Sequence, residues 1–227
     1  MKVTWLGQAG LFFDNGAYKI MVDPYLSDAV AATDPEKYRR TPSNRDFFAV
    51  QPDVLIFTHD HLDHYDPETA AVFLGKERKP MTVLCPFSVW QKVRKYGGPH
   101  NYVLFDRYSQ WTEFGFRFCA VKAAHSDPYA IGVVIDDVDK TYYITGDTLY
   151  NSEIFTDLPQ KIDTVFLPIN GVGNNMNQTD ALRFFRRCGA KTVAAYHVGM
   201  FDDISPASLC AENQIILQTY EAKEIEA

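Results

Sequence analysis

Val54-Leu55-Ile56-Phe57-Thr58-His59-Asp60-His61-Leu62-Asp63-His64 is an apolar run that breaks into a cluster of imidazoles and carboxylates. The four apolar residues, with Pro52 just before them, predict a buried strand. Asp66-Pro67-Glu68 carries a proline suited to a first helical turn and predicts a helix start just beyond. The polar cluster is therefore expected on a strand-to-helix loop, where side chains that do chemistry are usually displayed. Three of the chain's six histidines fall in this loop. Histidine is the commonest metal ligand and too scarce to be spent three times on solvating a turn. His59-x-His61-x-Asp63-His64 therefore reads as a divalent-metal cradle.

On the N-terminal side, Val3–Leu6, Leu11–Phe13 and Tyr18–Val22 are separated by Gly7, Gly10 and the Asp14-Asn15-Gly16 turn, the pattern of a β-meander. From Asp23-Pro24 to Gln51-Pro52 the pattern is lost, and this 24–50 stretch is expected to be a long polar excursion of the kind that often contacts substrate. Beyond the cluster, helices are expected near 67–75 and 87–96, with a strand at 81–85 between them. Strands follow near 101–106, 110–114, 116–122, 130–136 and 141–146, then a short helix near 151–157 and a strand at 164–167. The last elements are a helix near 178–188 closed by Gly189, a strand at 192–195 and a final helix from about Ser205. Meanders alternating with helices suggest an α/β fold in which two mixed sheets pack together with helices outside, a four-layer arrangement. No repeat or linker interrupts it, so residues 1–227 are expected to form one domain.

Bulk properties narrow the function. A formal charge of −7 argues against broad binding to nucleic acid or anionic lipid, although a bound metal pair would still admit a small anionic substrate. Cys85, Cys119, Cys188 and Cys210 are far apart and show no zinc-ribbon spacing, so free, largely buried thiols are expected. The chain enters a strand pattern at once, without a signal-like apolar region, and holds no run of about 18 apolar residues. The expectation is a cytoplasmic enzyme that does not span a membrane. The aromatic content leaves room for an apolar homo-oligomer interface.

Three more polar groups stand where an apolar strand gives way to a loop: His125 after Phe118–Ala124, Asp147 after Tyr142–Gly146, and His197 after Val193–Tyr196. Taken singly, each reads more readily as a capped or turn residue than as a ligand. Beside a cradle that lacks partners, they become candidate ligands.

The order Thr58–His64, His125, Gly146-Asp147-Thr148, His197 resembles the metallo-β-lactamase superfamily. Trp5–Gly10, Met21-Val22-Asp23-Pro24, Asn175-Met176-Asn177 and Tyr196–Asp203 are similar to its branch that includes L-ascorbate-6-phosphate lactonase. The likeness runs from about Trp5 to Asp203. It implies an αβ/βα sandwich with two metal sites at one edge. Carried over position by position, His59, His61 and His125 would bind one ion, Asp63, His64 and His197 the other, and Asp147 would bridge them. Nitrogen and oxygen ligands without thiolate suit Zn²⁺, Mn²⁺ or Fe²⁺. The resemblance gives Asp23 a supporting role behind a ligating imidazole, while its position before Pro24 also fits a plain turn. Gln8 stands where many relatives carry His and is not expected to ligate. The chain is shorter than typical ascorbate-phosphate lactonases.

The expected activity is hydrolysis of a small, anionic lactone or ester by a metal-bridging hydroxide that Asp63 orients, with Asp147 as the shared ligand. Arg39, Arg40 and Arg45 read either as grips for a phosphate or carboxylate or as a solvated basic loop. Asn174 and Asn175 read either as substrate contacts or as turn residues. His100 matches no motif and is expected on a surface loop. Two alternatives use the same ligands: a phosphodiesterase like the N-acyl phospholipid hydrolases, and a non-catalytic metal-stabilised binding module. A di-iron redox protein would need a flavin domain for which 227 residues leave no room.

Overall fold

Fourteen strands and three α-helices, joined by loops and short 3₁₀ turns, make up the computed structural model, which describes residues 1–225. The first half runs β1 (Lys2–Gly7), β2 (Gly10–Asp14), β3 (Lys19–Val22), β4 (Val54–Ile56), α1 (Pro67–Phe73), β5 (Thr82–Cys85), α2 (Phe87–Val93) and β6 (Asn101–Leu104). The second runs β7 (Gln110–Glu113), β8 (Phe116–Lys122), β9 (Ile131–Asp136), β10 (Thr141–Ile144), β11 (Thr164–Pro168), α3 (Gln178–Cys188), β12 (Thr192–Tyr196), β13 (Gln214–Ile215) and β14 (Ala222–Glu224). They form two seven-stranded mixed sheets, ordered β14-β1-β2-β3-β4-β5-β6 and β13-β12-β11-β10-β9-β8-β7. The expected α/β architecture of two mixed sheets flanked by helices is the one observed.

Alternation along the strands decides what each face covers. Ile20, Val22, Val54 and Ile56 point into the core shared by the two sheets, where Phe13 meets Tyr142 and Phe166 edge-on at 5.8 and 5.6 Å. Met21, Leu55, Phe57 and Val83 point the other way, against Ala70 and Phe73 of α1 and Val89 and Val93 of α2. On the second sheet, Phe184 of α3 packs against Tyr143. The order of layers is helix, sheet, sheet, helix.

Local chemistry sets the helix ends. Asp66 caps α1 by accepting from the Glu68 amide at 3.0 Å, with Pro67 in the first turn. Asn177 caps α3 through the Asp180 amide at 2.9 Å, and Gly189 ends it in the left-handed region.

Several sequence expectations are corrected. The final helix from Ser205 is a single 3₁₀ turn, Pro206–Leu209, closed by Cys210 at φ 50° and followed by the short edge strands β13 and β14. The segment has a helix-start signal at Ser205-Pro206 but no apolar stripe to bury, so packing has nothing to extend. The short helix at 151–157 is likewise a 3₁₀ turn, Ser152–Thr156. His100 is buried, with Nε2 3.4 Å from the Gly75 carbonyl oxygen. All four cysteines are free, but only Cys85 is fully buried and Cys210 is exposed. The 24–50 excursion is long and irregular as expected, with Val30 and Lys37 lining the cavity over the polar cluster, and it is well packed. Phe47 and Phe48 contact Phe12 and Phe73, and the Leu26 and Ser27 amides donate to Thr69 and Asp66.

Candidate metal centre

The C-terminal ends of β1, β3, β4, β8, β10, β11 and β12 gather at one edge of the sandwich and present Gln8, Asp23, the 57–66 loop, His125, Asp147, Asn170 and His197. Two backbone hydrogen bonds clamp the sheets together there: the Ile131 amide donates to the Thr58 carbonyl at 3.0 Å, and the His197 amide to the Gln8 carbonyl at 3.1 Å. Gly146 allows the tight approach. Its φ is +60°, and a Cβ there would lie 2.9 Å from the Ile131 oxygen and 3.1 Å from Thr58 Cβ.

All seven residues expected to ligate come together, in two groups. Candidate ligand atoms of His59, His61, His125 and Asp147 lie within 4.8 Å of one another, as do those of Asp63, His64 and His197. His125 Nε2 is 3.1 Å from His61 Nδ1, and His64 Nε2 is 3.1 Å from His197 Nε2. Asp147 Oδ1 stands 3.1 Å from both His64 Nε2 and His197 Nε2, and Asp63 Oδ2 is 3.2 Å from His197 Nε2. Ring nitrogens and carboxylate oxygens converge on shared points instead of pairing off through hydrogens.

The surrounding groups hold this convergence. Asp23, wholly buried, faces His64 Nδ1 at 2.8 Å and accepts from the Thr58 amide and hydroxyl at 2.7 and 2.5 Å. The Asn175 amide donates to Asp147 Oδ2 at 2.9 Å, while its oxygen accepts from the Thr148 amide at 3.0 Å. Asn175 thus fixes a carboxylate, a different role from the substrate contact expected of it. Asn174 reaches the site through its main chain, its carbonyl oxygen lying 3.4 Å from His125 Nδ1. Gln8 Nε2 donates to Asp63 Oδ2 at 2.9 Å. Asp23, Gln8 and His197 hold left-handed backbone angles of φ 45°, 46° and 60°, and such strain in non-glycine residues concentrates at functional sites.

Two groups had no sequence signal strong enough to single them out. Asn170, two residues past the end of the β11 apolar run, brings Nδ2 to 3.3 Å from His197 Nδ1. Asp127 accepts from the Asp60 amide at 3.1 Å and from the Ser88 hydroxyl at 2.6 Å, tying the His59–His64 loop to its neighbour. Arg39 and Arg40, expected as possible grips for substrate, are engaged by other groups of the chain. Arg39 is buried and donates to the Tyr25 and Leu6 carbonyls and the Tyr220 hydroxyl, and Arg40 pairs with Asp203 at the surface.

Charge at the site is divided. Burial holds His59 well below the ordinary histidine range, with His64 adding to the effect, and burial also lowers His125. Burial opposes the charged form of His64 and His197 too, but nearby Asp147 and Asp63 outweigh it and raise both, with Asp23 also acting on His64. Against their own burial, Asp63 and Asp147 are held below the carboxylate range, chiefly by His64 and His197. The buried Asp147 and the partly buried Asp63 are thereby kept as anionic donors facing the imidazoles. Two buried acceptor-capable atoms, His59 Nε2 and Asp147 Oδ1, make no hydrogen bond. A donor set of imidazole and carboxylate with such atoms aimed inward suits divalent metal.

Comparisons with known proteins agree with this geometry. Residues 18–198 match the family model described as a Beta-lactamase superfamily domain. A UPF0173 metal-dependent hydrolase of Pyrococcus furiosus is 33% identical over 184 residues, covering 75% of this chain and 73% of that protein. Another from an Exiguobacterium species is 27% identical over 230 residues, covering 90% and 88%. An uncharacterized Mycobacterium tuberculosis protein is 28% identical over 109 residues, 46% of this chain, and the match spans only 28% of that protein's length. Among solved structures, a possible metal-dependent hydrolase of Veillonella parvula superposes with a TM-score of 0.79 at 15% identity, covering 99% of both chains. An isothiocyanate hydrolase from Delia radicum gut bacteria gives 0.74 at 22% identity, covering 100% of both. The fold and its site define a metallo-β-lactamase-type protein. The chain belongs to the metallo-β-lactamase superfamily and, within it, to the UPF0173 metal-dependent hydrolase family.

Proposed function

We propose that this chain hydrolyses a small ester or lactone with two divalent ions, His59, His61 and His125 holding one, Asp63, His64 and His197 the other, and Asp147 shared. The observation that carries the reading is the convergence of seven imidazole and carboxylate groups in two clusters, with His59 Nε2 buried there without a hydrogen bond. Zn²⁺, Mn²⁺ and Fe²⁺ all suit the nitrogen and oxygen set. When bound, such a pair lowers the pKa of water toward neutrality and polarises a carbonyl or phosphoryl oxygen.

The chain's own residues do the rest. Asp63, held by the Gln8 amide and lining a cavity of about 720 Å³, would orient the attacking water. Asn175 keeps Asp147 from turning away, and Asp23 keeps the His64 ring in register.

The likeness to the lactonase branch rests on sequence motifs and supports an ester or lactone bond. Of the features behind the anionic part of that expectation, Arg39 and Arg40 are engaged elsewhere, while the positive field that a bound metal pair would supply remains. Isothiocyanate hydrolysis by the structural neighbour is an additional bond type worth assaying. A small-molecule partner suits the cavity's size. Among the described residues no helix is long and apolar enough to cross a membrane.

The test is a hydrolase panel of lactones, carboxylic esters, phosphodiesters and isothiocyanates with metal-loaded wild type, His61→Ala and Asp147→Ala. Wild type is expected to exceed both variants by about 100-fold or more on at least one substrate class. Equal, slow rates for all three proteins on every class would contradict the proposal.

A further inference from the structure

The cavity over the metal centre carries information about its substrate beyond the reacting bond. Its apolar wall is made by Val30, Leu62, Val172 and Phe201. Val30 and Phe201 belong to one packed unit. Phe201 meets the buried Tyr25 ring edge-on at 6.2 Å, and the Val30 amide donates to the Tyr25 hydroxyl at 3.3 Å. Arg39 braces that unit from behind, its guanidinium 5.1 Å from the Tyr25 ring centre. Val172 stands at the rim, 62% exposed between Gly171 and Gly173, which sit at φ +70° and +66°. An exposed valine at a cavity mouth gains most when an apolar ligand covers it.

The charges on the same wall do not favour an anion. Lys37 is the sole cationic side chain among the lining residues, and its ammonium lies 3.0 Å from Asp34. Asp60 and Asp202 line the cavity as carboxylates. Asp60 is paired to Lys92 at 2.6 Å, and Asp202 accepts from the Gly199 and Ile204 amides at 2.8 and 2.9 Å. No guanidinium faces inward to receive a phosphate or carboxylate at the end of the substrate remote from the reacting bond.

We propose that the substrate's non-reacting part is an uncharged, apolar chain or ring seated on Val30, Leu62, Val172 and Phe201, and that an anionic substituent there is rejected. The proposal rests on the hydrolase reading for the placement of the reacting bond, and on the cavity wall for the rest.

Binding to the metal-loaded full chain, measured by titration calorimetry, tests it independently of turnover. The probes are octanohydroxamic acid and suberic acid monohydroxamate, which share a reacting head and chain length and differ in a terminal methyl against a carboxylate. Octanohydroxamate is expected to bind about tenfold or more tightly, and to lose about two- to fourfold for each methylene removed. Val172→Lys, an exposed change that spares the core, is expected to reduce the preference by about tenfold. Equal or tighter binding of the carboxylate probe to wild type, or no binding of either, would overturn the proposal. Retention of the preference with no turnover of any ester or lactone supports the pocket assignment and contradicts the hydrolase reading.

Discussion

Asp23 Oδ2 lies 2.8 Å from Nδ1 of His64, and both side chains are wholly buried. The carboxylate accepts the Nδ1 proton, so Nε2 is left to face His197 and Asp147 as a lone pair. Asp23→Asn would keep an acceptor for the Thr58 amide but turn a donor toward the ring and favour the other tautomer. The variant is expected to fold and to bind one of its two ions about 10- to 100-fold more weakly, read by competitive chelator titration. Unchanged affinity for both ions would rule out this positioning role.

Gly146 sits where the sheets are tied together, with no room for a side chain. Gly146→Ala should cost about 2 kcal/mol from the left-handed angle and the approach to the Ile131 oxygen. It should also displace the adjacent Asp147. Denaturant melts and hydrolysis rates are expected to fall together, and a loss of stability alone would show that Asp147 is held independently of the turn.

Arg39 and Arg40 are adjacent but do different work. Arg39→Ala leaves the Tyr25 and Leu6 carbonyls unpaired and should destabilise the fold by about 2–3 kcal/mol. Arg40→Ala removes only a surface pair with the exposed Asp203 and should change stability by less than about 0.5 kcal/mol, with KM unchanged. A large rise in KM for Arg40→Ala would restore its substrate role.

Acid stability has a source away from the metal centre. Burial alone would raise the Asp157 carboxyl, but the bidentate Arg107 contact at 2.7 and 2.9 Å and the Lys122 amide at 2.9 Å hold it below its ordinary 3.8. A depressed folded-state value means that the stabilisation is complete above about pH 4 to 5. It is lost as pH falls through the folded value. Asp157→Asn should therefore lower Tm at pH 7 and flatten its fall below pH 4. A parallel shift of the whole Tm–pH curve would remove Asp157 from the account.

The site was legible because its ligands sit at strand ends, where apolar runs give way to loops. The run Val54–Phe57 announced the His59–His64 loop, and the runs before His125, Asp147 and His197 did the same for the distant candidate ligands. The helix at 178–188 was equally clear, since Asn177 and Gly189 mark its ends and Ala181 and Phe184 its buried face. The chain after Ser205 was not, because a cap signal without an apolar stripe does not say how far a helix will run. The partners of Arg39 were out of reach for a related reason. Its partners, Leu6, Tyr25 and Tyr220, include carbonyls and a hydroxyl as many as 181 residues away, which no local pattern reveals.

Metal stoichiometry tests the central claim most directly. Elemental analysis of purified wild-type protein, beside His61→Ala and His64→Ala, should give close to two divalent ions per chain for wild type and about one for each variant. Wild type with a count near zero after incubation with Zn²⁺ or Mn²⁺, all seven ligands intact and the protein folded, would contradict it.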